Sequence, residues 1–410
     1  LDSKRVVVTG MGVVCPLGLN RDEFWANLAA GRSGIDTITG FDISNSSVKV
    51  AGEVKNFDPA AHVDPKLVRR TRRAVHFAVP AASEAIAQSE LNLEKESLDR
   101  IGIVSSTMME DDYTTKRQWG VTMNTSRRAD PLFFTKATPT SVSLQLGLLL
   151  RARGPNTSVN SLCASGTEAI GTAMNFVRFG LADVMLAAAS DASLDATTVA
   201  ALDVLGALTR EPDPAKACRP FDANRSGFVY GEGCGVLVLE SLEHAQKRNA
   251  PIFAEIGGVG WTFDAFDTTA PQPETEALAM RKALADAGVT PDEVDFVNAH
   301  GTSTRLNDVS ETRALKMVFG ERAYKVPISA NKSMFGHMIT AGGAVEVIGA
   351  ILSMNNSMLP PTIHYETPDP DCDLDYVPNK ARPAELNVCL KDSFGLGGQN
   401  CCLVFKRFRD

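Results

Sequence analysis

No stretch of this 410-residue chain approaches the ~20 consecutive apolar residues that a membrane-spanning helix needs. Nor is there an excess of positive charge. Against 49 acidic residues stand 41 lysines and arginines, a formal net charge of −8, whereas a nucleic-acid binder needs a cationic face. The HxxxH, HExxH and CxxC spacings of metal sites are absent, so no metal is expected. The eight cysteines are scattered and no signal-like segment opens the sequence, which predicts a reducing compartment, the cytoplasm. The glycine-bearing turn near Gly10 lacks GxGxxG and reads as structural rather than as a dinucleotide site.

What is present describes a globular protein too long for one core, 44% hydrophobic and 22% charged. Strands alternate with helices on both sides of residue 250, predicting an α/β architecture in two halves, 1–250 and 251–410. In the first half, a strand at Val6–Val8 leads into a loop over Met11–Gly18, and a capped helix follows over Asn20–Gly31. Residues 66–90 read as one helix that Pro80 kinks or breaks, residues 106–140 as irregular, and residues 225–240 as a β-hairpin with glycines at its bend. In the second half, strands near Ile252, Val294 and Val326 alternate with helices, and a hairpin closes the chain around Ser393–Gly398. A strand leading into a Gly/Ala-rich helix occurs in each half and suggests an internal duplication.

Cys163 stands where a β-prone lead (Thr157, Val159) meets a helical pattern ending at Gly180. A thiol at a helix start sits near unpaired N–H groups and the positive end of the dipole, which predicts a lowered pKa and donors aimed at a neighbouring oxyanion. The alternative is a core cysteine packed in a helix. Of the six histidines, His300 and His337 occupy glycine-flanked loops after strands, with hydroxyls or an amine nearby; His62, His76, His244 and His364 read as structural. The basic run Lys66, Arg69, Arg70, Arg72 and Arg73 is either a solvated face or a patch that steers an acidic partner.

Four ordered motifs carry a resemblance: Cys163-Ala-Ser-Gly, Asn298-Ala-His-Gly-Thr-Ser-Thr, Asn331-Lys-Ser-Met-Phe-Gly-His and Ser393-Phe-Gly-Leu-Gly-Gly. Together they resemble the signatures of the elongating β-ketoacyl-acyl carrier protein synthases, condensing enzymes of the thiolase superfamily, and the likeness runs nearly end to end. The resemblance implies a duplicated thiolase-like fold layered α-β-α-β-α, dimeric, with either an identical or a homologous second subunit. It implies that Cys163 takes the acyl group, while His300 and His337 donate hydrogen bonds to a malonyl thioester carbonyl. Backbone N–H groups of Cys163 and Leu396 would form the oxyanion hole. Lys332 and Glu346 would pair and order the site, Thr302 and Thr304 would hold the pantetheine arm, and Asp308 and Glu311 would be structural. No cofactor is implied, because the substrates ride on the phosphopantetheine of an acyl carrier protein, for which Arg69 and Arg70 are the candidate docking residues.

The sequence departs from the family in places. Leu396 stands where a gate phenylalanine is usual, Leu202 where a second phenylalanine lines the acyl pocket, Met108 and Met109 at the pocket floor, Leu162 before the nucleophile where alanine is usual, and Gln399 where threonine is common. These replacements bear on gating and acyl selectivity, and keep open a ketosynthase of a specialised polyketide or polyene synthase working with a chain-length-factor partner. A thiolase acting on coenzyme A is disfavoured, since thiolases carry a second cysteine where His337 stands. A non-catalytic chain-length factor is disfavoured by the presence of Cys163.

Overall fold

The computed structural model describes residues 3–108, 120–121, 123 and 130–409. Its centre is one ten-stranded mixed sheet made of two five-stranded halves. The first half holds β1 (Val6–Val14), β2 (Ile101–Ser106), β3 (Asn156–Ser158), β4 (Val184–Asp191) and β5 (Gly233–Ser241). The second holds β6 (Ala254–Phe263), β7 (Phe296–Asn298), β8 (Ile328–Ser329), β9 (Val388–Phe394) and β10 (Gln399–Lys406). Spatial order is β3-β2-β4-β5-β1 in one half and β8-β7-β9-β10-β6 in the other, so third, second, fourth, fifth and first strands follow one another in both. The sense of each pairing is also shared: β2 runs parallel to β3 and β4, and β7 to β8 and β9, while the remaining neighbours are antiparallel. The duplication suggested by the sequence is thus visible in the topology. The halves join where Val6–Val8 pair with Ala254–Ile256.

Seven of the described helices complete the layers: α1 (Arg21–Ala29), α2 (Arg73–Ser89), α3 (Ser141–Leu150), α4 (Ser165–Arg178), α5 (Pro273–Asp286), α6 (Arg305–Phe319) and α7 (Gly342–Asn356). The helices α4 and α7 pack on each other and touch strands of both halves; α2 and α3 cover the first half from outside, α5 the second, with α6 against α5. That is the α-β-α-β-α layering. Nearly every side chain of α7 is buried, as a helix between the two halves of the sheet requires, and small residues on both helices let them approach: a Cβ on Gly343 of α7 would lie 2.5 Å from the Thr167 nitrogen of α4.

Several local expectations are corrected. β1 does not turn at Met11 but continues to Val14. Its glycines serve close approach instead of a loop, because a Cβ on Gly12 would stand 1.9 Å from the Ala81 carbonyl oxygen of α2. The basic helix breaks at Thr71–Arg72, between Pro65–Arg70 and α2, and Pro80 lies inside α2 without ending it. Tertiary packing of the Ala81–Ala85 face on β1 outweighs the hydrogen bond that Pro80 forgoes. Residues 225–240 are no hairpin: Gly233–Ser241 is one central strand between β1 and β4, and Phe228 and Tyr230 bridge to Leu208 and His337. Within 106–140, Phe133–Ala137 is helical, and Met109 lies outside the described residues. Among the described residues no helix is long and apolar enough to cross a membrane.

Candidate active site

The duplicated sheet brings three loops to one place. After β3, the chain makes a 3-10 turn over Leu162–Ala164 that carries Cys163 directly into α4. Leu162 holds a left-handed backbone (φ 53°), a conformation disfavoured for a branched side chain. The Ser165 hydroxyl accepts from the Ser161 N–H (2.8 Å) and donates to the Leu162 carbonyl (2.7 Å), and those bonds secure the turn. Following β7 comes the His300 loop, and following β8 the short helix Lys332–Phe335 that delivers His337.

The two imidazoles meet edge to face, ring centres 5.4 Å apart at 87°. Phe394 abuts His300 at 5.7 Å and Phe228 abuts His337 at 5.2 Å. Both histidines are buried, and neither ring nitrogen of His337 has a hydrogen-bond partner in the protein. Leaving a buried polar group unpaired costs roughly 1–3 kcal/mol, so the His337 nitrogens stand ready to hydrogen-bond a group that enters beside them. Burial, reinforced by the Lys332 charge, holds both imidazoles well below the usual histidine range, so they are neutral at physiological pH.

Behind the rings lies a buried charge network. The Lys332 ammonium contacts Glu346 Oε1 (2.6 Å), the His300 carbonyl (2.6 Å) and His300 Nδ1 (3.5 Å). Sequence reasoning placed the Lys332–Glu346 pair correctly but missed Lys391, whose ammonium lies 2.8 Å from Glu346 Oε2. The signal for it was a Lys-Asp pair inside the otherwise apolar strand Val388–Phe394. Glu311, read as structural, accepts the N–H groups of His300 (2.6 Å) and Gly301 (2.8 Å); Asp308 accepts that of Phe221 (2.8 Å).

Cys163, His300, His337, Thr302, Thr304 and Leu396 all face one cavity of about 610 Å³. The hydroxyls of Thr302 and Thr304 lie 2.8 Å apart on its wall. Leu396 stands exposed in the glycine loop after β9, where Gly397 and Gly398 take φ of 92° and 89° and the Gly397 N–H donates to the Thr268 carbonyl (2.9 Å). The thiol departs from expectation. Burial pushes Cys163 up to about 11, outweighing the Leu396 N–H and the Lys332 charge, which both pull it down. A helix start alone does not make a thiolate when the sulfur is enclosed by protein. Met108 and Leu202 do not line the cavity; they pack with Cys163 in an apolar cluster with Val199, Phe228 and Ile339. Arg69 and Arg70 are exposed at the end of Pro65–Arg70 and are not part of this cavity.

Models of the β-ketoacyl synthase N-terminal and C-terminal domains match residues 3–245 and 253–366. The chain belongs to the β-ketoacyl synthase family. It is 42% identical over 409 residues to 3-oxoacyl-acyl-carrier-protein synthase 2 of Staphylococcus aureus (strain COL), covering 99% of each chain. It is 40% identical over 414 residues to the protein of that name from Coxiella burnetii, covering 100% of each. Among solved structures it resembles a β-ketoacyl synthase from Burkholderia phymatum (35% identity, TM-score 0.91, 99% and 100% of the chains). It also resembles the ishigamide ketosynthase/chain length factor (34%, TM-score 0.92) and the ketosynthase complex AntDE:AntF, solved with its type II polyketide acyl-carrier protein and a hexaketide (32%, TM-score 0.90), with the same coverage.

Proposed function

We propose that the protein is a condensing enzyme, an acyltransferase that extends an acyl chain by two carbons from malonyl carrier protein. One observation carries the reading: the thiol of one half and two neutral imidazoles of the other face a single cavity whose wall bears paired threonine hydroxyls. In the first step Cys163 sulfur attacks an acyl-carrier thioester. A new sulfur–acyl bond forms, the old one breaks, and the Cys163 proton ends on the carrier's pantetheine sulfur. The thiol is protonated at rest, so proton transfer accompanies attack. The Leu396 and Cys163 N–H groups then serve the tetrahedral oxyanion.

In the second step the malonyl carboxylate leaves as carbon dioxide. Its bonding pair forms an enolate whose oxygen receives hydrogen bonds from His300 and His337. The enolate carbon attacks the acyl-Cys163 carbonyl, the sulfur leaves and regains a proton, and a β-ketoacyl carrier protein departs. Neutral donors suit this step because charge builds on that oxygen only as the reaction advances. Thr302 and Thr304 bind the pantetheine arm, Lys332 and Glu346 order the site, Leu396 gates the cavity, and Met108 and Leu202, packed with Cys163 outside that cavity, shape the acyl pocket. Arg69 and Arg70 dock the acidic carrier protein, and the working unit is a dimer of identical or homologous subunits, in the cytoplasm, needing no cofactor.

A second reading is a ketosynthase of a type II polyketide or polyene synthase paired with a chain-length factor. Leu396 in place of a ring at the cavity mouth favours it, as do the polyketide ketosynthases among the structural relatives. Intact-mass analysis after incubation with saturated and polyunsaturated acyl carrier proteins separates the two. Loading of saturated chains of several lengths supports fatty-acid elongation; preference for conjugated or oxygenated chains supports the second reading; no loading by either, alone or with a partner subunit, refutes both.

A further inference from the structure

The charge network behind the histidines contains a second lysine that no step above uses. Lys391 lies in the middle of β9, fully buried, paired in register with Asn298 of β7. Its ammonium donates to the Ala299 carbonyl (3.2 Å) and the Asp392 carbonyl (2.5 Å), and sits 2.8 Å from Glu346 Oε2. The Lys332 ammonium makes the matching set one residue on: the His300 carbonyl and Glu346 Oε1. Two lysines therefore hold two consecutive carbonyls of the histidine loop, and one carboxylate, arriving from α7, bridges them. Lys391 belongs to the strand that ends in the Leu396 loop, and the next-but-one residue, Ser393, bonds through its hydroxyl to Thr167 of α4 (2.7 Å).

We propose that Lys391 is a positioning residue for the decarboxylation half-reaction: its ammonium locks the His300 loop to the base of the Leu396 loop and shares the Glu346 carboxylate with Lys332. Alone, Lys332 matches one basic side chain to the Glu346 carboxyl; Lys391 brings a second to the other oxygen of the same group. Electrostatics agree with this placement, since the Lys391 charge lowers both imidazoles, while at the Cys163 thiol burial is the largest effect. The inference follows: losing this ammonium harms what the histidines do and spares what the cysteine does.

The inference rests on the proposed condensing activity, so wild-type protein must first decarboxylate malonyl carrier protein; if it does not, that reading fails and not this one. The variants are Lys391→Met, which removes charge and donor, and Lys391→Gln, which keeps a donor. Each variant is first shown to be folded by its urea unfolding transition, so that only folded protein is compared. The expected result is a fall in malonyl decarboxylation kcat of about 10- to 100-fold, the usual consequence of a small misplacement of a reacting group, with KM and the alkylation rate within about twofold of wild type. In Lys391→Ala, added ammonium or methylammonium should restore part of kcat, which a purely packing role would not allow. Equal loss of alkylation and decarboxylation, an unchanged kcat in both neutral variants, or variants that yield no alkylatable protein would each overturn the proposal.

Discussion

Replacing Lys332 with methionine keeps the length and apolar stem of the side chain and deletes one buried charge. Three contacts end at that ammonium: Glu346 Oε1, the His300 carbonyl and, at 3.5 Å, His300 Nδ1. Breaking a buried ion pair by removing one partner costs about 3–5 kcal/mol. Glu346 keeps Lys391 at 2.8 Å, so the loss should fall near the lower end, about 3 kcal/mol. Two electrostatic effects have fixed signs. The Lys332 charge lowers the Cys163 thiol, so Lys332→Met moves it above about 11 and slows iodoacetamide alkylation at a fixed pH below that value. The same charge lowers both imidazoles, so their pKa values climb back toward the ordinary range and the acid-side loss of malonyl decarboxylation moves to higher pH. Denaturant unfolding reads the first quantity, alkylation against pH the second, and decarboxylation against pH the third. A variant that loses stability while both pH profiles stay in place would refute the electrostatic account of Lys332.

Other expectations follow from the same geometry. Cys163→Ala should abolish the covalent acyl adduct seen by intact mass yet leave malonyl decarboxylation measurable, because the histidines do not depend on the sulfur. His337→Ala should cut decarboxylation by about 10²- to 10³-fold, the loss typical of one oxyanion donor, while Cys163 acylation changes little. Reversing Arg69 and Arg70 to glutamate should raise KM for carrier-bound substrates without altering kcat; an unchanged KM removes their docking role. His244 sits between Glu240 (2.6 Å) and Glu96 (3.0 Å), which raise its pKa. A raised folded-state pKa gives stability that is full below the unfolded value of about 6.5 and is lost as pH climbs through the folded value. His244→Gln should therefore narrow the stability difference between mildly acidic and mildly alkaline buffer, measured by urea unfolding.

The strand-to-helix junctions at Cys163 and His337 were legible because glycine and small residues mark them locally, and the final hairpin because Gly397 and Gly398 announce its turn. Glycines misled where their purpose was tertiary. Gly12 and Gly231 look like turn residues in one dimension, but each lies against a distant backbone: a Cβ on Gly231 would lie 2.7 Å from the Phe335 carbonyl oxygen. Pro80 misled for the opposite reason, since packing on β1 holds a helix that local chemistry would break. The thiol's raised pKa was invisible because enclosure is a property of three loops at once. Lys391 escaped notice for a similar reason: a lysine in an apolar strand is read as facing solvent until its partners, Glu346 and the Ala299 carbonyl, arrive from other elements.

The most direct test of the central claim is a single-turnover reconstitution. Protein pre-loaded on Cys163 with an acyl chain is mixed with malonyl carrier protein, and the carrier is followed by mass spectrometry. The account predicts a β-ketoacyl carrier protein two carbons longer than the loaded chain, one carbon dioxide released per acyl group consumed, and free Cys163 thiol returned. Carbon dioxide released with the acyl group still on Cys163, or an acyl group lost to water without a longer product, would contradict it.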